Sequence, residues 1–392
     1  MSKKTVKKMM QWVFGIGLGI AVAAGGLVLF QLNRGKKNLA EYIRAHPDST
    51  AVVAYTIDEN GQPVLDGSEI YHNPDAALVL ASTMKTVVVA AYEAAVEVGE
   101  LNPNELVSIA DVEQFYLPKT DGGAHTAGLA KLGQATDADG FAKDPSAKIL
   151  LDDIARIVIH NSGNAETDYL LSRLTEKRIA ETLKAAGFEQ HSPFHSILGI
   201  SLAMMNHEAS LTDAARRQAL VAEVTSGDFS VLENLADLYL HDPAWRSAQL
   251  AFMKSEAFLQ TANQMGWEGQ VECSQLFPKS TAREYAHLMA QIVSGQLISP
   301  AVSARLQQKL ETAPADGPMR FIFHQRYGSK DGVTAGVLNL VSYSQPKGRA
   351  WVGKTRVVVI LCNDLPVDLW LSAMKSQSLY LLQADLARGK GL

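Results

Sequence analysis

Apolar residues change their period several times along the chain, and each change marks an element. Met9 to Asn33 carries no charge, and its apolar part, Trp12 to Phe30, runs for 19 residues. Asn38 to Ala45 reads as a short helix that stops before His46-Pro47. The run Ala51-Val52-Val53-Ala54-Tyr55-Thr56-Ile57 predicts a strand, Asp58 to Gly61 a turn, and Pro63 to about Ile70 a weaker partner strand. A long apolar helix begins at Ser82, runs through Val98 and stops at Gly99. Glu100 to Lys143 is loop-rich, with Asp121-Gly122-Gly123 its most turn-like part. Helical spacing returns at Ala147, where Leu150, Leu151, Ile154, Ile157 and Val158 form a stripe, and continues to about Glu311. Within it, a helical hairpin is expected between Ser210 and Gln270. Past Gly317-Pro318, Arg320 to His324, Val337 to Ser344 and Thr355 to Cys362 read as strands, and Val367 to Ala387 as an amphipathic closing helix.

Strands at both ends around a helical middle predict an α/β (α+β) fold in which the two ends of the chain share one sheet. The expected division is residues 1–37 as tail, anchor and linker, then 38–75 with 315–392 as the α/β part, and 76–314 as a mostly helical part. A helix of 19 apolar residues, at about 1.5 Å each, just crosses a bilayer's hydrocarbon core. Cleavage after Ala21-Val22-Ala23 would leave Leu27 to Phe30 exposed at a new terminus, which favours a retained single-pass anchor over a removed signal peptide. Lys3, Lys4, Lys7 and Lys8 precede the apolar run and Arg34, Lys36 and Lys37 follow it. The balance leans toward an internal N-terminus, with the bulk of the chain extracytoplasmic at the cell membrane.

Composition narrows the function classes. With 392 residues, 47% hydrophobic and 20% charged, the chain can bury a large core. A net charge of −5 supplies no basic excess for nucleic acid. Cys273 and Cys362 have no metal-site spacing and read as buried thiols. His191 and His195 stand four apart, but Pro193 between them breaks any helix, so they read as a surface loop. No metal or cofactor is expected.

The candidate chemistry starts at Ser82-Thr83-Met84-Lys85. Three positions along a helix return to the same face, so Lys85 can stand beside the Ser82 hydroxyl, and apolar neighbours favour a neutral lysine. Two further Ser-x-x-Lys copies, Ser344 to Lys347 and Ser372 to Lys375, lack company: the first contains Pro346 and the second sits in the closing helix. Ser82 alone is followed in order by Ser162-Gly163-Asn164 and by Lys330-Asp331-Gly332. Ser-x-x-Lys, Ser-x-Asn and Lys-[Thr/Ser]-Gly in this order mark penicillin-binding proteins and class A β-lactamases, and here the middle position of the third motif is Asp331. From about Leu39 to Leu386 the chain resembles the class A β-lactamase-related serine hydrolases, and Thr281 to Ala286 with Ser294-Gly295 downstream agrees.

The resemblance implies an antiparallel sheet flanked by helices plus an all-helical part, and a serine hydrolase acting on a small-molecule or peptide substrate, a β-lactam or a cell-wall peptide. It makes Ser82 the nucleophile, Lys85 its base, Ser162 a proton relay and Lys330 a source of positive charge. Asn164 would hold the substrate amide, Asp331 and Gly332 would line the substrate site, and the N–H groups of Ser82 and Val333 would form the oxyanion hole. His125 and Tyr116 are further candidate substrate contacts on the rim. Two positions depart from the family. Asp331 replaces a hydroxyl residue that helps bind a substrate carboxylate, with Thr334 as its nearest substitute. If Asn206 is the asparagine of the deacylation loop, Leu202 stands where its glutamate belongs, and Glu208 is the only acid nearby. A catalytically slow or inactive penicillin-binding module is therefore the alternative.

Overall fold

A computed structural model describes residues 32–313 and 319–392. The apolar run Trp12 to Phe30 lies outside them, and among the described residues no helix is long and apolar enough to cross a membrane.

The sheet has six strands: β1 (Thr50–Ile57), β2 (Pro63–Val64) and β3 (Ile70–His72) come from the start of the chain, and β8 (His324–Thr334), β9 (Val337–Pro346) and β10 (Thr355–Cys362) from its end. Its order is β2-β1-β10-β9-β8, with β3 also paired to β1, and every pairing is antiparallel. Short ladders join β4 (Leu78–Val79) to β7 (Lys279–Ser280) and β5 (Leu106–Ser108) to β6 (Lys148–Leu150). The central strands are apolar without alternation because both faces are covered. Ala51, Val53, Tyr55, Val357, Val359 and Leu361 face one core, shared with the helices Lys85–Glu97 and Ala282–Ser294. Val52, Ala54, Val358, Ile360 and Cys362 face the other, against Leu39, Ile43 and the closing helices. Both cysteines are buried and free.

Three expected elements differ. Arg320 to His324 is not a strand: a short helix, Met319–Phe323, precedes β8. β8 instead carries Lys330, Asp331 and Gly332 within its hydrogen-bonded length, opposite Val341, Leu340 and Asn339. The closing segment is two helices, Val367–Lys375 and Ser378–Ala387, broken at Gln377, whose φ is 53°. The insertion expected as a hairpin is four helices, Ala214–Thr225, Ser230–His241, Pro243–Lys254 and Glu256–Ser274. Asp213, Asp242 and Ser255 cap the first, third and fourth by accepting from backbone N–H groups.

Candidate active site

Ser82 lies in a 3-10 turn, Ala81–Met84, between β4 and the Lys85–Glu97 helix. The turn starts at Ala81 with φ 46°, a conformation alanine adopts only when its surroundings hold it there. Two asparagines do much of that holding. Asn363 Oδ1 accepts from Val79 N at 2.8 Å, while Asn339 Nδ2 donates to Val79 O at 2.7 Å and to Leu80 O at 3.1 Å. Asn339 Oδ1 also accepts from Cys362 N at 2.9 Å, so one side chain ties the serine turn to two strands. Sequence reasoning missed both residues, although an asparagine inside the apolar run Val337-Leu338-Asn339-Leu340-Val341 is a usable signal, since a buried amide needs partners.

The second cluster follows the Leu151–His160 helix. Ser162 has φ 67° and Asn164 opens the next helix, Asn164–Arg173. Lys85 Nζ reaches this turn, donating to Ser162 O and Asn164 Oδ1, each at 2.6 Å, with Ser162 Oγ at 3.5 Å. From the other side Lys330 Nζ donates to Ser162 Oγ at 3.1 Å. Ser162 therefore bridges the two lysines. Lys85 is 0% and Lys330 1% exposed. Burial, aided by the charge of Lys330, pulls the Lys85 ammonium down to about 7, against the opposing pull of Glu166, Asp168 and Asp121.

The third cluster comes in on β8. A Cβ at Gly332 would meet Leu80 O at 2.5 Å and the N–H nitrogens of Thr83 and Ser82 at 2.8 and 3.0 Å. Only glycine lets β8 lie this close to the serine turn. Ser82, Ser162, Asn164, Asp331, Val333 and Thr334 all line one cleft of about 390 Å³, whose walls include Trp267, Phe277 and Trp370. A larger groove, about 770 Å³, lies between residues 32–38 and the Val367–Lys375 helix and holds none of these groups. Asp331 turns back on Lys330, its Oδ1 3.0 Å from Nζ. Burial would raise its carboxyl, but the charge and hydrogen bond of Lys330 outweigh that and hold it below the ordinary aspartate value.

His125 and Tyr116 are not among the residues that line the cleft. His125 is fully buried, stacked on Tyr116 with ring centroids 4.3 Å apart, and lies between Glu166 Oε1 at 2.6 Å and Glu113 Oε1 at 3.3 Å. Burial would lower its pKa, but the two carboxylates win and raise it to about 9. The pair fastens the wall bearing Thr120, Asp121 and Gly122 to the Asn164–Arg173 helix. His191 and His195 lie in a loop whose Gln190 and Pro193 are exposed, as expected, but the two rings turn inward, His191 half-buried with Nε2 3.2 Å from Tyr285 Oη, and His195 buried with Nε2 donating to Leu276 O at 2.6 Å. Among the described residues no group of three His, Cys, Asp or Glu side chains could hold a metal.

No carboxylate of the 197–208 segment reaches the cleft lining. Leu202 is fully buried in an apolar cluster with Leu198, Tyr239 and Trp245. Asn206 turns inward, Nδ2 donating to Leu202 O and Oδ1 accepting from Glu208 N and Ala209 N. The Glu208 side chain is 60% exposed and lines a separate groove. The segment is fixed from beneath by Asp168, which accepts from Ile197 N at 2.9 Å, Leu198 N at 2.7 Å and Ser196 Oγ at 3.0 Å. Its burial pushes that carboxyl up to about 6.

An antiparallel sheet packed with helices, and a buried lysine pair meeting at a serine on the edge of one cleft, define a class of acyl-transfer serine enzymes. The chain matches the beta-lactamase enzyme family over residues 35–339, and it belongs to that family as a serine hydrolase. Solved structures share the fold. A beta-lactamase from Sphaerobacter thermophilus superposes with a TM-score of 0.53 at 16% identity, over 90% of this chain and 96% of that one. A beta lactamase from Xanthomonas campestris gives 0.52 at 12% identity, over 91% and 96%. A leucine-to-glutamate mutant of PBP-A, solved as an acyl-enzyme complex with penicillin G, gives 0.50 at 13% identity, over 89% and 96%. No curated protein sequence matches.

Proposed function

We propose that this protein is a membrane-anchored serine hydrolase that works through an acyl-serine on Ser82, with an amide, ester or β-lactam carbonyl as acyl donor. The observation that carries the reading is Lys85 Nζ, buried one turn beyond Ser82 and held at 2.6 Å by both Ser162 O and Asn164 Oδ1. Ser82 Oγ attacks the carbonyl carbon and its proton passes to neutral Lys85. The developing oxyanion lies against the N–H groups of Ser82 and Val333, across the close approach that Gly332 permits. Ser162, between the two lysines, hands a proton to the leaving nitrogen or oxygen, and Asn164 holds Lys85 while meeting the substrate amide. Cell-wall peptides and β-lactams carry such a carbonyl, and the penicillin acyl-enzyme of the PBP-A mutant supports the choice by analogy of fold, while the Asp331–Lys330 pair favours those members of either class whose leaving side bears no carboxylate.

The same reading assigns slow release of the acyl group. Leu202 is buried and Glu208 points elsewhere, so no carboxylate of the 197–208 segment is placed to activate water at the ester. A penicillin-binding role, in which the acyl-enzyme persists, is the second reading that this observation favours. Anchoring is supported by the 19 apolar residues from Trp12 to Phe30 behind a lysine cluster. Deleting residues 1–37 should move the protein from the membrane fraction to the soluble one.

Intact-mass spectrometry after incubation with a penicillin, a cephalosporin and an activated ester tests the chemistry. One acyl adduct per chain, mapped to Ser82 and absent from Ser82→Ala, is expected. No adduct from any donor, or labelling that survives Ser82→Ala, rejects the reading.

A further inference from the structure

An ammonium has three N–H donors and no more. Lys330 Nζ directs them to Ser162 Oγ at 3.1 Å, Asp331 O at 2.8 Å and Asp331 Oδ1 at 3.0 Å. All three are therefore taken within the protein, two of them by the neighbouring residue. Asp331 is itself held from behind, its Oδ2 3.5 Å from the Tyr380 hydroxyl, beside an apolar cavity of about 100 Å³ lined by Leu338, Met374 and Leu379. Opposite Asp331 on β9 stands Leu340, an apolar residue in the strand next to Lys330. Among the described residues lining the cleft, the charged ones are Asp121 and Asp331, both acids, whereas Lys85 and Lys330 lie buried beneath its wall.

We propose that Asp331 is a specificity-determining residue: its carboxylate occupies the ammonium of Lys330 in place of a substrate anion, so the cleft takes acyl donors whose leaving side is uncharged or cationic. An anionic leaving group would have to displace a pre-formed ion pair and would then lie against the freed Asp331 carboxylate in a partly desolvated site. An uncharged leaving group meets no such cost, and a cationic one gains from both acids and from the Trp267 and Trp370 rings, whose centroids lie 5.4 Å apart. Thr334 offers this side of the cleft a neutral hydroxyl. This proposal rests on the acyl-serine reading of Ser82.

Three phenyl esters of one acyl group test it, with a carboxylate, a carboxamide or an aminomethyl group at the meta position of the leaving phenol. In each, the Oγ–acyl bond forms as the C–O bond to the phenol breaks, and the Ser82 proton passes through Lys85 and Ser162 to the departing phenolate. All three leave the same adduct mass, so only the leaving side differs, and rates are normalised to each ester's hydrolysis by hydroxide. In the full chain the carboxamide and aminomethyl esters should acylate Ser82 at least about tenfold faster than the carboxylate ester. Asp331→Asn and Asp331→Thr should each shrink that ratio to less than about threefold. A carboxylate ester that acylates the unmodified chain as fast as the others overturns the proposal without any variant. A ratio unchanged in both folded variants overturns the assignment to Asp331. A different failure, no adduct from any ester or from a neutral fluorophosphonate, removes the acyl-serine reading itself.

Discussion

A lysine buried beside a second lysine holds its proton poorly, and in the proposed mechanism that weakness is the working property. Two residues of unlike fate share one type: Lys85 is brought down to about 7, while Lys330 is tied to Asp331. Ser82 acylation should therefore fall about tenfold per pH unit below pH 7 and level off above it, because only neutral Lys85 can take the proton. Stopped-flow acylation by an uncharged ester between pH 5 and 9 measures this. Lys330→Met removes a like charge, so the same profile should be slower and its midpoint should lie above 7. A midpoint unmoved or lower in that variant would deny Lys330 its part in tuning Lys85. Lys85→Met should lose more than about a hundredfold in rate at every pH. Of the residues in this site, those with distinctive chemistry in ordered clusters were legible in the chain. The direction of the Asp331 side chain was not, since it depends on which donors Lys330 has left after meeting Ser162.

Elements were read well where a single face or run decided them and poorly where two elements had to meet. Thr355 to Cys362 is a strand with the expected bounds because its apolar run is long and uninterrupted. Arg320 to His324 failed because five mixed residues carry no period of their own, and the strand that follows takes its pairing from β9. His125 was misplaced for a related reason. A histidine in a glycine-rich loop looks exposed until Glu113 and Glu166, 12 and 41 residues away, close around it. That clamp has a pH signature. With its pKa raised to about 9, His125 binds its proton more tightly folded than unfolded, so its stabilisation is complete below about 6.5 and lost as pH rises through 9. Lys85, with a depressed pKa, works in the opposite sense above pH 7, so the whole protein's stability does not report the clamp. The difference between unmodified chain and His125→Gln does. It should be about 3 kcal/mol near pH 6 by urea unfolding and narrow steadily toward pH 10.

Across the whole molecule, the proposed mechanism makes acylation and deacylation separable, because different parts of the chain would supply them. The parts for acylation come from β4, β8 and the turn at Ser162, all fastened to the sheet or its first helices. The part that would activate water would come from the 197–208 segment, which Asp168 and the helical insertion hold in an apolar setting around Leu202. Release of the acyl group should be at least about a hundredfold slower than its attachment, the contribution expected of one well-placed general base. Following the Ser82 adduct by mass after removing excess donor checks this, and an adduct that clears as fast as it forms would show that another group supplies the base.

By itself the amino-acid sequence determined the candidate nucleophile and candidate base, the two further clusters and the family they resemble, because those depend on residue type and order. It also determined the alternation of strand-rich ends and helical middle, since apolar period is a local property. Only the tertiary structure decided that Gly332 must be glycine against the serine turn, that Asn339 and Asn363 hold that turn, and that His125 is a clamp. It alone decided that Asp331 spends the charge of Lys330. Those outcomes turn on distances of about 3 Å, in every case but the adjacent Asp331–Lys330 pair between residues tens to hundreds of positions apart, and hydrogen bonds and close contacts of that kind leave no periodic trace along the chain.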